Sequence, residues 1–264
     1  MKNFIFFTCL FIMQGLDLYS QDLYVKPEKN WIQFLHLESG LMYPSGSVKE
    51  NIAIRQNISS YYVNQYSNGY ISTASSGVLL GLRWEYFNVK YKTGVSTGVR
   101  YIGYTSELSG YSSNSADFFY LRYSMQDTDT KFARIKSITE SNCFISIPLE
   151  IRTVPFQYKK FELLAKVGAE ISVINLKKSS DIDFSNSSMK IHQDLIMNSI
   201  GVATNNLYST LYASIGLKYG LENKPNFIFE VFLPSIFLTT NNFLLSDVDY
   251  FDGFKLSVQF PINK

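Results

Sequence analysis

Few residues in this chain of 264 residues could act in hydrolytic chemistry, because it has only two histidines, His36 and His192. A serine hydrolase needs a hydroxyl nucleophile, an imidazole base and a carboxylate within hydrogen-bonding reach of one another. His192 has Ser187 and Asp194 nearby in a polar stretch, whereas His36 lies beside Glu38 in a segment of alternating polarity. We expect His36 to belong to a network of charged side chains, and we predict no catalytic residues.

The first twenty residues have the layout of a secretory signal. The chain starts with a short positive segment at residues 1–3, residues 4–13 are almost entirely apolar, and residues 15–21 are more polar. This order is typical of signal peptides, and the apolar run is too short to span a bilayer. We predict a signal peptide over residues 1–20, which implies export, and a short periplasmic segment over residues 21–30.

The sequence also gives little indication of a metal or cofactor site. The chain has two cysteines, and Cys9 would be removed with the signal peptide, which leaves Cys143. Zinc sites draw their ligands from grouped cysteine, histidine and carboxylate side chains, and two histidines with one cysteine do not supply such a group. We therefore predict no metal site and no cofactor, and a single cysteine excludes an intrachain disulfide.

The composition favours strands over helices. Charged residues make up 17% of the chain, below the roughly 25% of an ordinary soluble domain, and aromatic residues make up 16%. The 24 Lys and Arg residues nearly balance the 22 Asp and Glu residues, so no nucleic-acid partner is expected. No stretch approaches the roughly 18 consecutive apolar residues that a membrane-spanning helix needs.

Apolar residues recur at every second position in eight segments, which predicts strands because side chains alternate between the two faces of a strand. In one of them Leu80, Leu82 and Trp84 share a face, while Gly81 and Arg83 share the other. The eight segments are residues 31–43, 76–88, 90–101, 143–154, 160–173, 210–221, 226–234 and 254–262.

The connections between these segments alternate in length. Three are short, at about residues 88–90, 155–159 and 222–225, and three are long, at about residues 44–75, 107–141 and 176–208, with an intermediate one at 237–252. Short turns at one end and long loops at the other are typical of outer-membrane barrels. We predict an all-β fold over residues 31–264, an eight-stranded antiparallel up-and-down transmembrane β-barrel with long external loops.

The polar face of the strands is expected to line the lumen, because membrane barrels turn their apolar face outward. Glycines lie on the same face, and its acids and bases nearly balance, as an internally paired interior requires. The predicted lumen charge network consists of His36, Glu38, Arg83, Glu85, Lys92, Arg100, Glu150, Arg152, Glu162, Lys166, Glu170, Lys218, Glu230 and Lys255.

The apolar face carries aromatic residues near the predicted membrane boundaries. Amphipathic rings are enriched at both interfaces of membrane barrels. Tyr43 and Tyr101 lie toward the long loops. A predicted aromatic girdle near the short turns consists of Trp84, Tyr86, Tyr91, Phe161, Tyr219, Phe227 and Phe260.

Several strand sequences resemble those of a known family of small outer-membrane barrels. FISIPLEIR, residues 144–152, is similar to that family's x-E-I-P-L-L-L-K strand, and KFELLAKVGAEISVI, residues 160–174, follows as its hairpin partner. Residues 77–101 and 253–260 add to the similarity. The chain thus resembles the PorT-type barrels of Gram-negative bacteria. The resemblance carries no catalytic motif and implies a role connected with protein secretion.

These observations predict a non-enzymatic outer-membrane protein with a structural, surface-binding or secretion-accessory role. Eight strands enclose a lumen that side chains just fill, so we expect a charge-plugged interior. The expected partners are outer-membrane lipid, the barrel-assembly machinery, and a secretion-system component or surface partner bound through the long loops. Two alternatives stay open: an outer-membrane barrel enzyme acting on lipid or peptide, and a secreted soluble barrel that binds an apolar ligand.

Overall fold

The structure is a computed structural model of the chain. The structure describes residues 30–48, 54–56, 71–110, 118–126, 129–200, 207–221, 224–239 and 245–262. The predicted signal peptide, residues 1–20, and all but the last residue of the predicted periplasmic segment, residues 21–30, lie outside the described residues.

Strands make up most of the described residues, and we name them β1 to β10 in chain order. They are β1 (Trp31–Val48), β2 (Ile54–Gln56), β3 (Ile71–Asn88), β4 (Thr93–Gly110), β5 (Phe119–Gln126), β6 (Asp129–Tyr158), β7 (Phe161–Phe184), β8 (Ser209–Tyr219), β9 (Asn226–Phe237) and β10 (Ser246–Pro261). A 3-10 helix (Ser187–His192) continues into the α-helix α1 (Gln193–Ile200). Among the residues that the structure describes, no helix is both long and apolar enough to cross a lipid bilayer.

Eight strands close into an antiparallel ring in the order β1, β3, β4, β6, β7, β8, β9, β10, with β10 paired back to β1. Each ring strand pairs with the ring strands before and after it in sequence, which is the up-and-down arrangement. The short strands β5 and β2 extend the sheet from the edge of β6 outside the ring. The predicted fold class, an eight-stranded antiparallel barrel, is therefore confirmed.

The short turns all lie at one end of the barrel, which we call the short-turn end. They join β3 to β4, β6 to β7 and β8 to β9. The start of β1 and the end of β10 lie at the same end of the barrel, where Phe34 pairs with Pro261. Lys92 and Lys159 adopt left-handed backbone conformations in the first two turns, with φ of 50° and 54°. The long connections all lie at the opposite end, which we call the loop end.

The strands reach further toward the loop end than the sequence predicts. The predicted loop 107–141 contains β5 and the first part of β6, a strand of 30 residues that starts at Asp129. The predicted loop 176–208 contains the end of β7 and α1. The hydropathy pattern missed these extensions because their outward residues, such as Thr105 and Glu107, are polar, and a bulge between Ile135 and Ser137 also shifts the alternation at the start of β6.

The outer face of the barrel changes polarity along its axis. Toward the short-turn end it is apolar, and large side chains such as Leu80 and Leu149 are 55% and 58% exposed. Further toward the loop end the outward residues are polar, as at Ser45, Thr105 and Glu107. An apolar outer band bounded by polar surface is the exterior of a transmembrane β-barrel.

The interior of the barrel is filled at successive levels. An apolar cluster around Phe34, Phe87 and Leu164 closes the short-turn end. The charged side chains lie above it, and an aromatic cluster follows toward the loop end. This aromatic cluster consists of Met42, Leu79, Ile102, Tyr104, Phe144, Tyr208, Tyr212, Phe232 and Phe251.

A further apolar core lies at the loop end, where the outer surface is polar. The inward faces of β5 and β6 pack there against α1, with Phe119, Ile135 and Ile196 fully or almost fully buried. This cap therefore has the polarity of a water-soluble protein, apolar inside and polar outside. The membrane-level part of the barrel has the opposite polarity.

Candidate functional site

Glu150 is the centre of the charged interior. Its carboxylate lies 3.1 Å from the guanidinium of Arg83 and 3.1 Å from the Nζ atom of Lys166. It also pairs with Arg100, and Lys255 Nζ lies 3.5 Å away. These four cations come from β3, β4, β7 and β10, so one carboxylate on β6 links strands on opposite sides of the lumen.

Two further glutamates share the same cations. Glu38 on β1 pairs with Arg100, and its Oε2 atom lies 3.3 Å from Arg83 Nε and 3.1 Å from Lys255 Nζ. Glu230 on β9 lies 2.8 Å from Lys166 Nζ and 3.5 Å from Lys255 Nζ. Because each cation contacts more than one carboxylate, the pairs form a continuous network.

The network extends toward the short-turn end through Glu85. Its carboxylate lies 2.7 Å from His36 Nε2 and 2.8 Å from Arg152 Nε. The Gln259 amide on β10 donates to the same carboxylate at 3.3 Å. Arg83 joins this part to Glu150 because its NH2 atom lies 3.1 Å from His36 Nδ1.

Uncharged polar side chains add hydrogen bonds to several of the ions. The Arg100 guanidinium donates to the Tyr212 hydroxyl at 2.6 Å, and that hydroxyl donates to Glu150 at 2.7 Å. Ser146 donates to Glu170, which also accepts from Arg100 at 3.1 Å. Serine and tyrosine satisfy acceptor and donor positions that the ion pairs leave open, as buried charges require.

The ion network closes the lumen of the barrel. Five glutamates face five Arg and Lys residues in the network, and their side chains are almost completely buried. Removing one partner of a buried pair leaves an uncompensated charge, so such pairs are costly to break. The network therefore fills the lumen and cross-links the strands.

The structure places thirteen of the fourteen predicted network residues in this buried interior. They are His36, Glu38, Arg83, Glu85, Arg100, Glu150, Arg152, Glu162, Lys166, Glu170, Lys218, Glu230 and Lys255. The structure places Lys92 elsewhere, in the β3–β4 turn, because the strand β4 begins only at Thr93. Glu162 and Lys218 form a separate pair at 3.1 Å toward the short-turn end.

Glycines make room for the network at two places. A Cβ atom at Gly168 would lie 2.6 Å from the ring of Tyr212, and one at Gly81 would lie 2.7 Å from the Glu38 carboxylate. Both distances are shorter than side chains tolerate. The glycines on this face therefore allow large charged and aromatic side chains to reach the middle of the lumen.

The site also has uncharged members that the sequence did not predict. Ser96, Ser146 and Tyr212 contact network ions, and Tyr104 and Tyr208 form a buried hydroxyl pair at 2.5 Å in the aromatic cluster above. All five lie on the inward face of their strands, the face that also carries the charged residues. Their positions were available from the sequence, but their types did not distinguish them from surface residues.

The predicted girdle residues lie on the outer face close to the short-turn end. Trp84 stacks on Tyr86 at 6.4 Å between ring centroids, and Phe161 lies 5.0 Å from Tyr219. Tyr91 lies in the β3–β4 turn and not on a strand. The exposed girdle positions are Trp84, Tyr86, Tyr91, Phe161, Tyr219, Phe227 and Phe260, and Trp31 and Tyr158 are further exposed rings at this end that were not predicted.

Of the residues considered for hydrolysis, the group around His192 lies at the loop end, apart from the network. The His192 ring stacks on Tyr123 with 6.3 Å between centroids, and Ser187 and Asp194 are exposed. His36 lies within the network, buried beside Glu85. Within the described ranges, no group of three or more His, Cys, Asp or Glu side chains is placed to hold a metal ion.

No family model matches the sequence, and no curated protein matches it. Among solved structures, the outer membrane protein OprG of Pseudomonas aeruginosa is 13% identical with a TM-score of 0.41, covering 87% of this chain and 96% of that one. The transport unit of the autotransporter AIDA-I of Escherichia coli is 9% identical with a TM-score of 0.28, over 94% and 96% of the two chains. OmpT of Vibrio cholerae is 8% identical with a TM-score of 0.22, over 90% and 100%.

Proposed function

We propose that this chain is a non-enzymatic outer-membrane barrel whose lumen is permanently closed and whose loop end binds a partner outside the cell. The observation that carries the proposal is the continuous filling of the lumen. The apolar cluster at the short-turn end, the ion network and the aromatic cluster follow one another along the axis. A barrel filled in this way anchors a surface structure and does not conduct solutes.

The membrane placement is supported by the outer surface. Large apolar side chains cover the outside at the level of the network, and the ions lie inside. A soluble barrel that carries an apolar ligand would need the reverse arrangement at this level, with its apolar face inside. The apolar band therefore favours the outer membrane over secretion as a soluble carrier.

The binding role is supported by the cap at the loop end. The β5–β6 hairpin and α1 build a packed structure beyond the apolar band, with its own buried core. We infer that a surface protein or a secretion-system component binds here, the role expected of a PorT-type barrel. The outer-membrane lipid and the barrel-assembly machinery are its other partners.

Planar-bilayer recording tests the closed lumen. The detergent-purified barrel is inserted into a bilayer, with a general porin as the conductance standard. We expect only brief, small fluctuations from this chain, because the side chains at three levels exclude a water-filled path. Stable steps of porin size would overturn the proposal.

A further inference from the structure

A shallow groove of about 550 Å³ crosses the outer face of β8, β9, β10 and β1 within the apolar band. Its volume lies in the range of about 300–1,000 Å³ that is typical of small-molecule sites. Two rows of outward residues in register line it. The row nearer the short turns is Tyr219, Phe227, Val258 and Leu37, and the next is Leu217, Phe229, Leu256 and Ser39.

The groove is a depression because one position in its lining is small. Ser39 lies directly opposite Leu256 in the β1–β10 pairing, among the large apolar side chains of the band. A leucine or phenylalanine there would fill the space. The shape and the apolar lining fit a hydrocarbon chain lying along the barrel wall.

Lysines follow in the turns next to the end of the groove at the short turns. Tyr219 is the last residue of β8, and Lys224 lies in the turn that follows it. Tyr219 also pairs with Phe161 at the start of β7, directly after Lys160. The backbone N–H of Gly220 donates to the carbonyl of Lys160 at 2.9 Å, which ties the two turns together.

The short turns as a group are basic. The turn segments 89–92, 159–160 and 220–225 hold five lysines and one acid, Glu222. Two of the lysines also face aromatic rings, with Lys90 Nζ 5.3 Å from the Tyr91 centroid and Lys159 Nζ 5.2 Å from that of Tyr158. Basic residues that flank an apolar surface at a membrane interface attract anionic lipid head groups.

From these observations we propose that the groove and the turns beside it form a binding site for one anionic glycerophospholipid of the periplasmic leaflet. An acyl chain lies between the two rows of side chains, and Lys159, Lys160 and Lys224 bind the phosphate. The phosphate is a strong acceptor for lysine ammonium groups. The site rests on the proposed membrane placement, since only that placement puts the groove against lipid.

Native mass spectrometry of the intact barrel tests the site. The protein is released from detergent that contains equal amounts of phosphatidylglycerol and phosphatidylcholine with the same acyl chains. We expect phosphatidylglycerol to be retained about tenfold more than phosphatidylcholine. The triple variant Lys159→Gln, Lys160→Gln, Lys224→Gln should lose this preference.

The double variant Lys90→Gln, Lys92→Gln is the matched control, because it removes lysines from the turn that does not border the groove. It should keep the preference. Ser39→Phe should lower the retention of both lipids without changing their ratio. Gel electrophoresis with and without heating checks that each variant is folded, because a folded barrel changes its mobility when it is heated.

Equal retention of the two lipids by the unmodified chain would overturn the site, and so would equal losses in the triple and double variants. Both results leave the proposed function intact. Failure to retain either lipid would also overturn the site and would leave the membrane placement intact, because detergent alone can cover the apolar band.

Discussion

The carboxylate of Glu150 on β6 lies 3.1 Å from the guanidinium of Arg83 on β3, although β4 separates these strands in the sheet. The ion pair therefore crosses β4 on the lumen side of the sheet and does not follow the hydrogen-bonded ladder. It joins residues that are neighbours neither in sequence nor in the sheet. The barrel gains a cross-link that the backbone pairing alone does not provide.

Replacing Glu150 tests this cross-link. Glu150→Gln removes the charge that four cations share, and we expect the free energy of unfolding to fall by about 3–5 kcal/mol because those cations stay buried. Urea unfolding of the barrel refolded in detergent measures the change. Glu162→Gln is the matched control, since Glu162 pairs with Lys218 outside the main network, and a smaller loss of about 1.5–3 kcal/mol is expected. Equal losses would contradict a central role for Glu150.

The space above Gly168 gives a second prediction. In Gly168→Ala the new Cβ atom would lie 2.6 Å from the Tyr212 ring, so the tyrosine must move away from Glu150. We expect a loss of about 1–3 kcal/mol in the same unfolding measurement. Gly103→Ala is the control, because its Cβ atom would approach a Val78 methyl group at 3.3 Å on the outer face. A loss with Gly103→Ala as large as that with Gly168→Ala would show that glycine flexibility, and not space, is what matters.

The cap at the loop end should unfold independently of the barrel. Ile196→Asp buries an unpaired charge in the core between α1 and the β5–β6 hairpin, which costs several kcal/mol. We expect trypsin to cut the cap of this variant quickly while the barrel keeps its heat-dependent gel shift. Leu195→Asp changes the neighbouring, exposed side chain and should stay resistant. Loss of the gel shift in Ile196→Asp would show that cap and barrel fold as one unit.

The apolar band should tolerate a charge only at its edge. Leu82→Arg places a guanidinium on the outer face within the band, where an arginine costs about 2–4 kcal/mol at the bilayer midplane. Thr105→Arg lies on the polar outer surface toward the loop end, where the cost should be within about 1 kcal/mol. Unfolding in lipid vesicles measures both. Equal effects in vesicles would contradict the assigned band.

The alternation of side chains was sufficient to predict the ring of eight strands and its order. It worked because the outward residues of the band, such as Leu82 and Trp84, are apolar and their inward neighbours Arg83 and Glu85 are charged. Lys92 shows where it stops working. The alternation of the sequence continues through the turn, but β3 ends at Asn88 and β4 begins at Thr93, and Lys92 lies between them with a left-handed backbone.

The upper part of the barrel could not be predicted in the same way. Phe144 and Tyr208 point inward although they are as apolar as the outward residues, and Thr105 and Glu107 point outward although they are polar. Beyond the membrane level the outer face of the barrel meets water instead of lipid, so the outer face is polar and the inner face is apolar there. A hydropathy pattern cannot show this reversal, because a strand with a polar outer face has the same pattern as a polar loop that carries occasional apolar residues.

The pairing of β1 with β10 has a consequence for how the chain folds. These two strands lie at opposite ends of the described barrel sequence, so the contact that closes the ring has the largest sequence separation of any strand pair. Contacts of high sequence separation form slowly, since a long loop must be closed before they stabilise anything. Until the final strand arrives, the first one presents an open edge that pairs readily with other chains. A chain truncated before β10 should therefore aggregate and should not form a smaller barrel.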